Sequence, residues 1–333
     1  MFLFLIKKKR FLFSFLFLFT LLTFSAGNSI FNEGNIQQIR YIKDADGGII
    51  LAPPYPPFTV FLLGSDRFGF DLLHMMVEGA KYTIGLTLLI TLLRMLLSLV
   101  VSYFAYSLKP FLYKTFQSLV EPFSIVPQTL LAFFILFSVL WMQVNGFAHS
   151  FFERAAFEVI ILSVLAIPTL SMQLSNEIRA VHSEPFVEAS KVLGGRKMHV
   201  FVKHIVPQLY ERWILLFGQQ FLQVLMLLAH LGVFKLFFGG TSVSFGLMSD
   251  PPRTLSYEWS GLIGDSLSYL FVQQWIAIVP ISFFVLTAIS VSFINDALKE
   301  MFLLTGNSAG NKASTKKRVY YSGKRKRTPS GTL

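Results

Sequence analysis

The sequence contains no cysteine, so neither a disulfide framework nor a thiolate metal site can form in it. Charge is also scarce, because charged residues make up 14% of the 333, whereas soluble domains average about 25%. The six histidines show no HExxH or other paired spacing that would hold zinc. Together with a hydrophobic share of 53%, these deficits predict a chain that resides in a bilayer and argue against a metalloenzyme.

The sequence also lacks a nucleotide-binding loop. The nearest match to GxxxxGK[ST] is the run from Gly306 to Lys312, and its spacing is wrong. An intramembrane enzyme would need paired acids or a histidine cluster at membrane depth, which Arg94 and Glu121 alone do not provide. We therefore expect no catalytic residue, no metal and no cofactor in this chain, and no ATP hydrolysis by it.

What the sequence has in abundance is long apolar runs. A spanning helix needs about 20 mostly apolar residues, because in hydrocarbon it must satisfy its own backbone polar groups. The runs predict an all-α fold, a polytopic membrane bundle of six transmembrane helices. The predicted spans are residues 11–26, 82–105, 119–141, 157–174, 213–234 and 275–293. The first is predicted to be retained, although its end at Ser25-Ala-Gly27 also resembles the cleavage site of a signal peptide.

The basic residues predict the orientation of the bundle, since short cytoplasmic loops are enriched in lysine and arginine. With the N-terminus inside, 21 of the 29 basic residues fall on the cytoplasmic side and seven outside, while Arg94 lies within the second span. Six crossings then return the C-terminus to the cytoplasm. We therefore predict a multi-pass membrane protein with both termini cytoplasmic.

The spans divide the chain into four predicted regions. Residues 1–27 form an anchor, and residues 28–81 form an extracytoplasmic segment with little regular structure, as its proline-rich run at 53–57 indicates. Residues 82–301 form the transmembrane domain, and residues 302–333 form a disordered, basic cytoplasmic tail. Next to a membrane, such a tail is expected to attract anionic lipid rather than nucleic acid.

The cytoplasmic loop at 176–212, between the fourth and fifth spans, carries the signals of a short isolated helix. Ser183 is a candidate N-cap, Pro185 suits a first helical turn, and Gly194 can end the helix. A helix of about three turns is marginal alone in water. It is therefore expected to pack on another surface.

One face of this helix is expected to make that contact. Spacings of three and four residues place Phe186, Ala189 or Ser190, and Leu193 on the same side. The residues alone leave two possibilities open. The face packs on the cytoplasmic ends of the chain's own spans, or it docks on a partner protein.

The same loop carries a family resemblance. Glu188-Ala-Ser190, then Gly194, then His204-Ile-Val-Pro207 resemble the EAA loop of binding-protein-dependent ABC transporter permeases, and in particular the oligopeptide/dipeptide/nickel branch. In that family the loop forms a cytoplasmic coupling helix that docks on the ATP-binding subunit. The docking residues implied by the resemblance are Phe186, Glu188, Ala189, Ser190, Leu193 and Gly194.

Further segments resemble the same branch in the same order. Residues 63–71 are similar to its LGTDxxGRD segment, 121–127 to an acid six residues before a proline, 275–280 to its PW…P element, and 295–299 to its GDxLRD element. The resemblance covers about 62–301 and is greatest to the second of the two permeases in such importers. The sequence departs from the family pattern at Phe70, Ser190 and Asn295.

The resemblance implies a fold and a set of partners. It implies a MetI-like permease of a bacterial cell membrane, working with a second permease, two ATP-binding subunits and an extracytoplasmic substrate-binding protein. Peptides are the implied cargo, with nickel or another small solute as alternatives. Two other functions stay open: a secondary transporter or channel independent of ATPases, and a degenerate permease.

Polar and ionisable side chains within spans are costly, so each is a candidate for the transport pathway. The candidates are Arg94, Gln219, Gln220, Gln223 and His230. Each also has a structural alternative. Arg94 could pair with Glu121 or with the partner permease, His230 could bond at a helix interface, and the glutamines could join helix to helix.

Overall fold

The computed structural model describes residues 2–46, 48–245 and 250–325, and these are mostly helical. Two short antiparallel strand pairs, β1 with β2 and β3 with β4, are the extended elements of this part of the chain. In chain order the elements are α1 (Phe2–Lys7), α2 (Lys9–Phe31), β1 (Ile42–Lys43), β2 (Ile49–Leu51), α3 (Leu72–Tyr106), α4 (Pro110–Ile125), α5 (Gln128–Leu140), α6 (Phe151–Val164), α7 (Ile167–His182), α8 (Pro185–Val192), α9 (Lys197–Val200), a π-helical turn (Phe201–Ile205), α10 (Val206–Val233), β3 (Thr241–Ser242), β4 (Arg253–Thr254), α11 (Trp259–Ser266), a 3-10 turn (Leu267–Tyr269) and α12 (Gln274–Arg325).

The predicted polytopic helical bundle is confirmed. Within the described ranges, five helical stretches are long and apolar enough to cross a membrane, and a sixth is obtained when the bent pair α4 and α5 counts as one span. The five are Lys9–Phe31, Leu72–Tyr106, Phe151–His182, Lys197–Val233 and Gln274–Leu304. Several run longer than the apolar runs in the sequence, because helical hydrogen bonding continues past the last apolar residue.

The third span is not straight. The sequence predicts one helix over 119–141, whereas α4 and α5 meet at an angle of 80°. The bend falls at Val126, whose ψ of 126° is extended, directly before Pro127. A residue that precedes proline is disfavoured in the α conformation, so the chain turns here and resumes as a second helix.

The fourth span is also interrupted. It extends over Phe151–His182 and changes from α6 to α7 at residues 165–166, with Pro168 in the first turn of α7. Proline is favoured in that turn because it has no backbone N–H to leave unpaired. The interruption leaves backbone groups of α6 available to side chains of neighbouring helices.

The second span begins ten residues earlier than its apolar run. Helix α3 starts at Leu72, where the Asp71 carboxylate accepts a hydrogen bond of 3.0 Å from the Leu73 N–H. The segment before it, predicted to have little regular structure, contains the end of α2 and the β1–β2 hairpin. Capping and helical hydrogen bonds therefore order part of a segment whose composition gives no periodic signal.

Helix α11 is a buried element that the sequence analysis did not identify. It packs against α3, α10 and α12, with Trp259 fully buried at its start. The Trp259 indole Nε1 donates to the Met76 carbonyl at 3.0 Å, and the Glu258 carboxylate accepts from the first N–H groups of the helix. Close backbone approach requires glycine here, since a Cβ on Gly232 would lie 2.1 Å from the Ser260 carbonyl oxygen.

The C-terminal helix is longer than expected. Helix α12 continues to Arg325, whereas the sequence predicts a disordered tail from residue 302. The glycines at 306, 310 and 323 and the asparagines and serines near them disfavour a helix, which is why composition predicts a tail here. The rest of the predicted tail, residues 326–333, lies outside the described residues.

Candidate docking helix and translocation groove

Helix α8 occupies the position that the sequence predicts, from Pro185 to Val192. Its N-cap is Glu184 rather than Ser183, because the Ser183 hydroxyl is already used at the end of α7, where it donates to the Arg179 carbonyl at 3.1 Å. Gly194 ends the helical turn with a φ of +86°, a left-handed conformation that favours glycine.

One side of α8 is anchored to the bundle. Val187 is fully buried and belongs to a cluster that includes Tyr106 at the end of α3, Ile178 in α7 and Leu209 in α10. Because buried apolar side chains pack at close to crystal density, a shift of Val187 is transmitted to its neighbours. Through Val187, helix α8 therefore takes part in a buried cluster to which three spans contribute.

The other side of α8 is open. The exposed fractions are 44% for Phe186, 87% for Val192 and 88% for Leu193. Glu188 and Ala189 are exposed as well. All six residues that the sequence proposes for docking lie on or next to this short helix, and Val192 joins them although the spacing rule did not select it. A cluster of exposed apolar side chains on an otherwise polar loop is typical of a protein-binding surface.

A groove of about 680 Å³ lies where α4 bends into α5, facing α7 and α10. Its polar lining consists mainly of neutral amide and hydroxyl groups. The polar lining residues are Ser124, Gln128, Thr129, Thr169, Gln173, Gln220, Gln223 and His230. Lysine, arginine, aspartate and glutamate do not occur among the described residues that line it. The groove can therefore offer hydrogen bonds without a fixed charge.

Three of the five pathway candidates line this groove. Gln223 and His230 are both exposed on α10, and the His230 Nδ1 lies 3.3 Å from the Thr129 hydroxyl. Gln220, the third of them, is buried beside the other two, and its Oε1 has no hydrogen-bond partner within the described part of the chain. A buried polar atom without a partner needs water or a ligand.

The other two candidates lie elsewhere. Gln219 is exposed and falls just beyond the groove, on the α10 turn nearer to α8. Arg94 is fully buried, and its Nε donates to the Leu162 carbonyl at 2.8 Å. This carbonyl lies in the last turn of α6, where the α6–α7 interruption makes it available. Arg94 thus takes a backbone partner in place of Glu121.

One residue of the sequence, Pro127, indicates the groove. Pro127 marks the bend that uncovers α10, and prolines within spans accompany departures from a straight helix. Gln128 and Thr129 follow it directly and become lining residues, while Gln173 comes from α7. Their convergence depends on the angle between helices, which residue spacing within one helix does not report.

Two segments that carry the family resemblance, residues 63–71 and 275–280, meet at the opposite end of the bundle from α8. The Trp275 Nε1 donates to the Ser65 carbonyl at 3.2 Å, and Arg67 donates to the Tyr269 hydroxyl at 2.8 Å. Arg67 also lies 4.0 Å from Asp265. Burial raises the pKa of the Asp265 carboxyl, and the Arg67 charge opposes that rise. These contacts fasten residues 63–71 to the end of α11, to the 3-10 turn and to the start of α12.

Comparison with known proteins identifies relatives of the chain. A family model described as the binding-protein-dependent transport system inner membrane component matches residues 95–301, more than half of the chain. The peptide transport system permease protein SapC of Escherichia coli is 19% identical over 243 residues, which are 73% of each chain. SapC of Salmonella typhimurium is 20% identical over 243 residues, again 73% of each. The matched range contains α8 and the helices that form the groove.

Proposed function

This chain belongs to the binding-protein-dependent transport system inner membrane components, and we propose that it is one permease subunit of an ATP-driven ABC importer. In this proposal a second permease completes the pathway, two ATP-binding subunits supply the hydrolysis, and an extracytoplasmic protein delivers the cargo. Both termini and α8 then lie in the cytoplasm. The chain's own task is transport and not catalysis.

The observation that carries the proposal is the two-sided character of α8. Val187 anchors the helix to three spans, while Phe186, Val192 and Leu193 remain exposed. A partner can change the conformation of the bundle only if it binds its states with different affinity. An exposed helix that shares a buried cluster with α3, α7 and α10 can satisfy that requirement, because ATPase closure would displace the helix and disturb the packing of the spans.

Peptides are the cargo that we propose. The relatives named above are peptide transport permeases. The groove supports the proposal chemically, since its amide and hydroxyl side chains can pair the N–H and C=O groups that every peptide unit carries. Without a fixed charge in its lining, the groove would not select one peptide charge over another. Selection would then rest on the binding protein.

Co-purification of the tagged chain in mild detergent tests the subunit assignment. We expect a second permease and ATP-binding subunits to be recovered together with ATPase activity. The ATP-binding subunits should be lost from Gly194→Asp, because a side chain is strained at a φ of +86° and would distort the end of α8. A chain that purifies alone and still moves solute would contradict the proposal and favour a secondary transporter.

A further inference from the structure

A second cavity, of about 480 Å³, lies behind α8 and is distinct from the groove. It is bounded by the ends of α3 and α7 and by the segment that joins α8 to α9. Its lining is strongly basic, with Arg179, His182, Lys191 and Lys197 all facing the same space. We refer to this cavity, defined by these four residues, as the basic pocket.

Two of these side chains are held in place by the ends of helices. The Arg179 Nη2 donates to the Leu108 carbonyl at 2.6 Å, and its guanidinium lies 3.5 Å from the centre of the Tyr113 ring. The Lys191 Nζ lies 3.3 Å from both the carbonyl oxygen and the Nδ1 of His182. Cations are favourable at helix C-termini, so these contacts fix the positive groups at little electrostatic cost.

Interactions with helix ends do not account for all of the positive groups that line the basic pocket. The Arg179 Nε is buried and has no hydrogen-bond partner within the described residues. Lys197 lines the pocket from the start of α9, where a cation is disfavoured by the helix dipole. Arg179, Lys191 and Lys197 all act electrostatically on His182, and Glu188 is an acidic group that acts on the same ring. The gathered positive charge is therefore suited to an anion.

The position of the pocket indicates which anion. Phe104, Phe111 and Leu112, which flank the α3–α4 turn beside it, are 63%, 79% and 50% exposed. Such apolar surface on a spanning bundle faces acyl chains, so the pocket lies at the level where the apolar surface ends. We propose that the basic pocket binds the phosphate group of an anionic phospholipid, with the acyl chains against these aromatic and aliphatic side chains.

A bound headgroup would connect two parts of the chain. Lys191 and Lys197 belong to the segment around α8, whereas Arg179 and Leu108 belong to the ends of the spans. A phosphate between them would neutralise the mutual repulsion of the basic groups and hold α8 against the bundle. This inference adds a lipid requirement to the proposed coupling, but lipid binding itself can be measured without transport.

The test measures how much lipid the full chain retains. The chain and its accompanying subunits are placed in nanodiscs of mixed phosphatidylcholine and phosphatidylglycerol and then released from them. Native mass spectrometry counts the phosphatidylglycerol that stays bound. Lys191→Gln with Lys197→Gln should weaken retention on the order of tenfold. A matched double variant, Lys114→Gln with Lys203→Gln, removes the same charge from exposed positions outside the pocket and should retain lipid as the wild type does.

Three results would overturn the proposal. If the pocket variant retains as much phosphatidylglycerol as the wild type, the pocket is not a lipid site. If both double variants lose the same amount of lipid, the attraction is diffuse and acts over the whole membrane surface. Saturable protection by inorganic phosphate in pure phosphatidylcholine would assign the pocket to a free anion instead. If the double variant fails to assemble, the single exposed substitution Lys197→Gln gives the same comparison against Lys203→Gln.

Discussion

At the scale of single residues, neutral polar side chains define the groove. Gln220, Gln223 and His230 fall on one side of α10, because spacings of three and seven residues return to the same face of a helix. Together with Thr129 they present donors and acceptors along one wall. We infer that this wall contacts the backbone of a passing peptide rather than its side chains.

Replacing one of these groups tests that inference. Gln223→Leu should lower peptide uptake by roughly tenfold. A net hydrogen bond contributes about 1 kcal/mol, and the backbone group of the peptide that Gln223 would have paired is left buried without a partner. Gln37→Leu makes the same change at an exposed position outside the groove and outside the 176–212 loop, and it should leave uptake unchanged. Uptake of labelled oligopeptides by cells with equal membrane levels of each variant provides the measurement. An equal effect of both substitutions would count against the groove as the pathway.

The sequence predicted part of this site and not the rest. Gln223 and His230 were identifiable because polar side chains stand out within an apolar run. Gln173 could not be associated with them, since it comes from a different helix and its distance depends on packing. Arg94 carried the same signal as His230 but lies against the Leu162 carbonyl, a partner that exists only because α6 ends there.

At the scale of elements, the number of spans was predictable and their shapes were not. The apolar runs fixed five spans and the bent sixth, since each must be long enough to cross a bilayer. The 80° bend at Pro127 was not predicted, because proline within a span is compatible with a straight or a bent helix. Helix α11 was missed because eight residues are too few to give a spanning signal.

The packing of α11 against α10 depends on a glycine, so a substitution there is predicted to lower the stability of the fold. At Gly232 a Cβ would lie 2.1 Å from the Ser260 carbonyl oxygen, so Gly232→Ala must displace backbone and should cost about 1–3 kcal/mol. Gly85→Ala is the matched control, since it is helical, has open space at the Cβ position and should be neutral or stabilising. The measurement is the midpoint of thermal unfolding of each variant, taken in the same detergent. Equal midpoints would contradict the close packing of α10 on α11.

At the scale of the whole molecule, the N-terminal helix is tied into the bundle. The Asn28 side chain donates to Glu78 at 2.8 Å and lies 2.9 Å from the His74 Nε2, while the Ser25 hydroxyl donates to the Glu78 carbonyl at 3.2 Å. Lys81 completes the group by pairing with Glu78. These contacts join the end of α2 to α3, across the segment that resembles a cleavage site.

We therefore predict that the N-terminal helix is retained in the mature protein. Ser25 is fully buried and lies in the interior of α2, where a peptidase cannot bind an extended strand. The intact mass of the purified protein should correspond to the whole chain of 37.7 kDa. A mass that lacks the residues before position 27 or 28 would show that α2 is a signal peptide and that its contacts are not part of the mature bundle.

Two glycines allow a matched test of whether α8 couples the bundle to ATP hydrolysis. Gly194 at the end of α8 and Gly146 between α5 and α6 have φ values of +86° and +92°, and both have open space at the Cβ position. Replacement by aspartate puts a non-glycine residue in the left-handed region at either site, which imposes a similar backbone strain of about 1–2 kcal/mol.

The most direct measurement is ATP-dependent uptake of labelled oligopeptides by cells that carry wild type, Gly194→Asp or Gly146→Asp at equal membrane levels. We expect a loss of about tenfold for Gly194→Asp, because strain of that size at the docking surface shifts an equilibrium by roughly 5- to 30-fold. We expect wild-type uptake for Gly146→Asp. Wild-type uptake by Gly194→Asp, or an equal loss in both variants, would contradict a coupling role of α8.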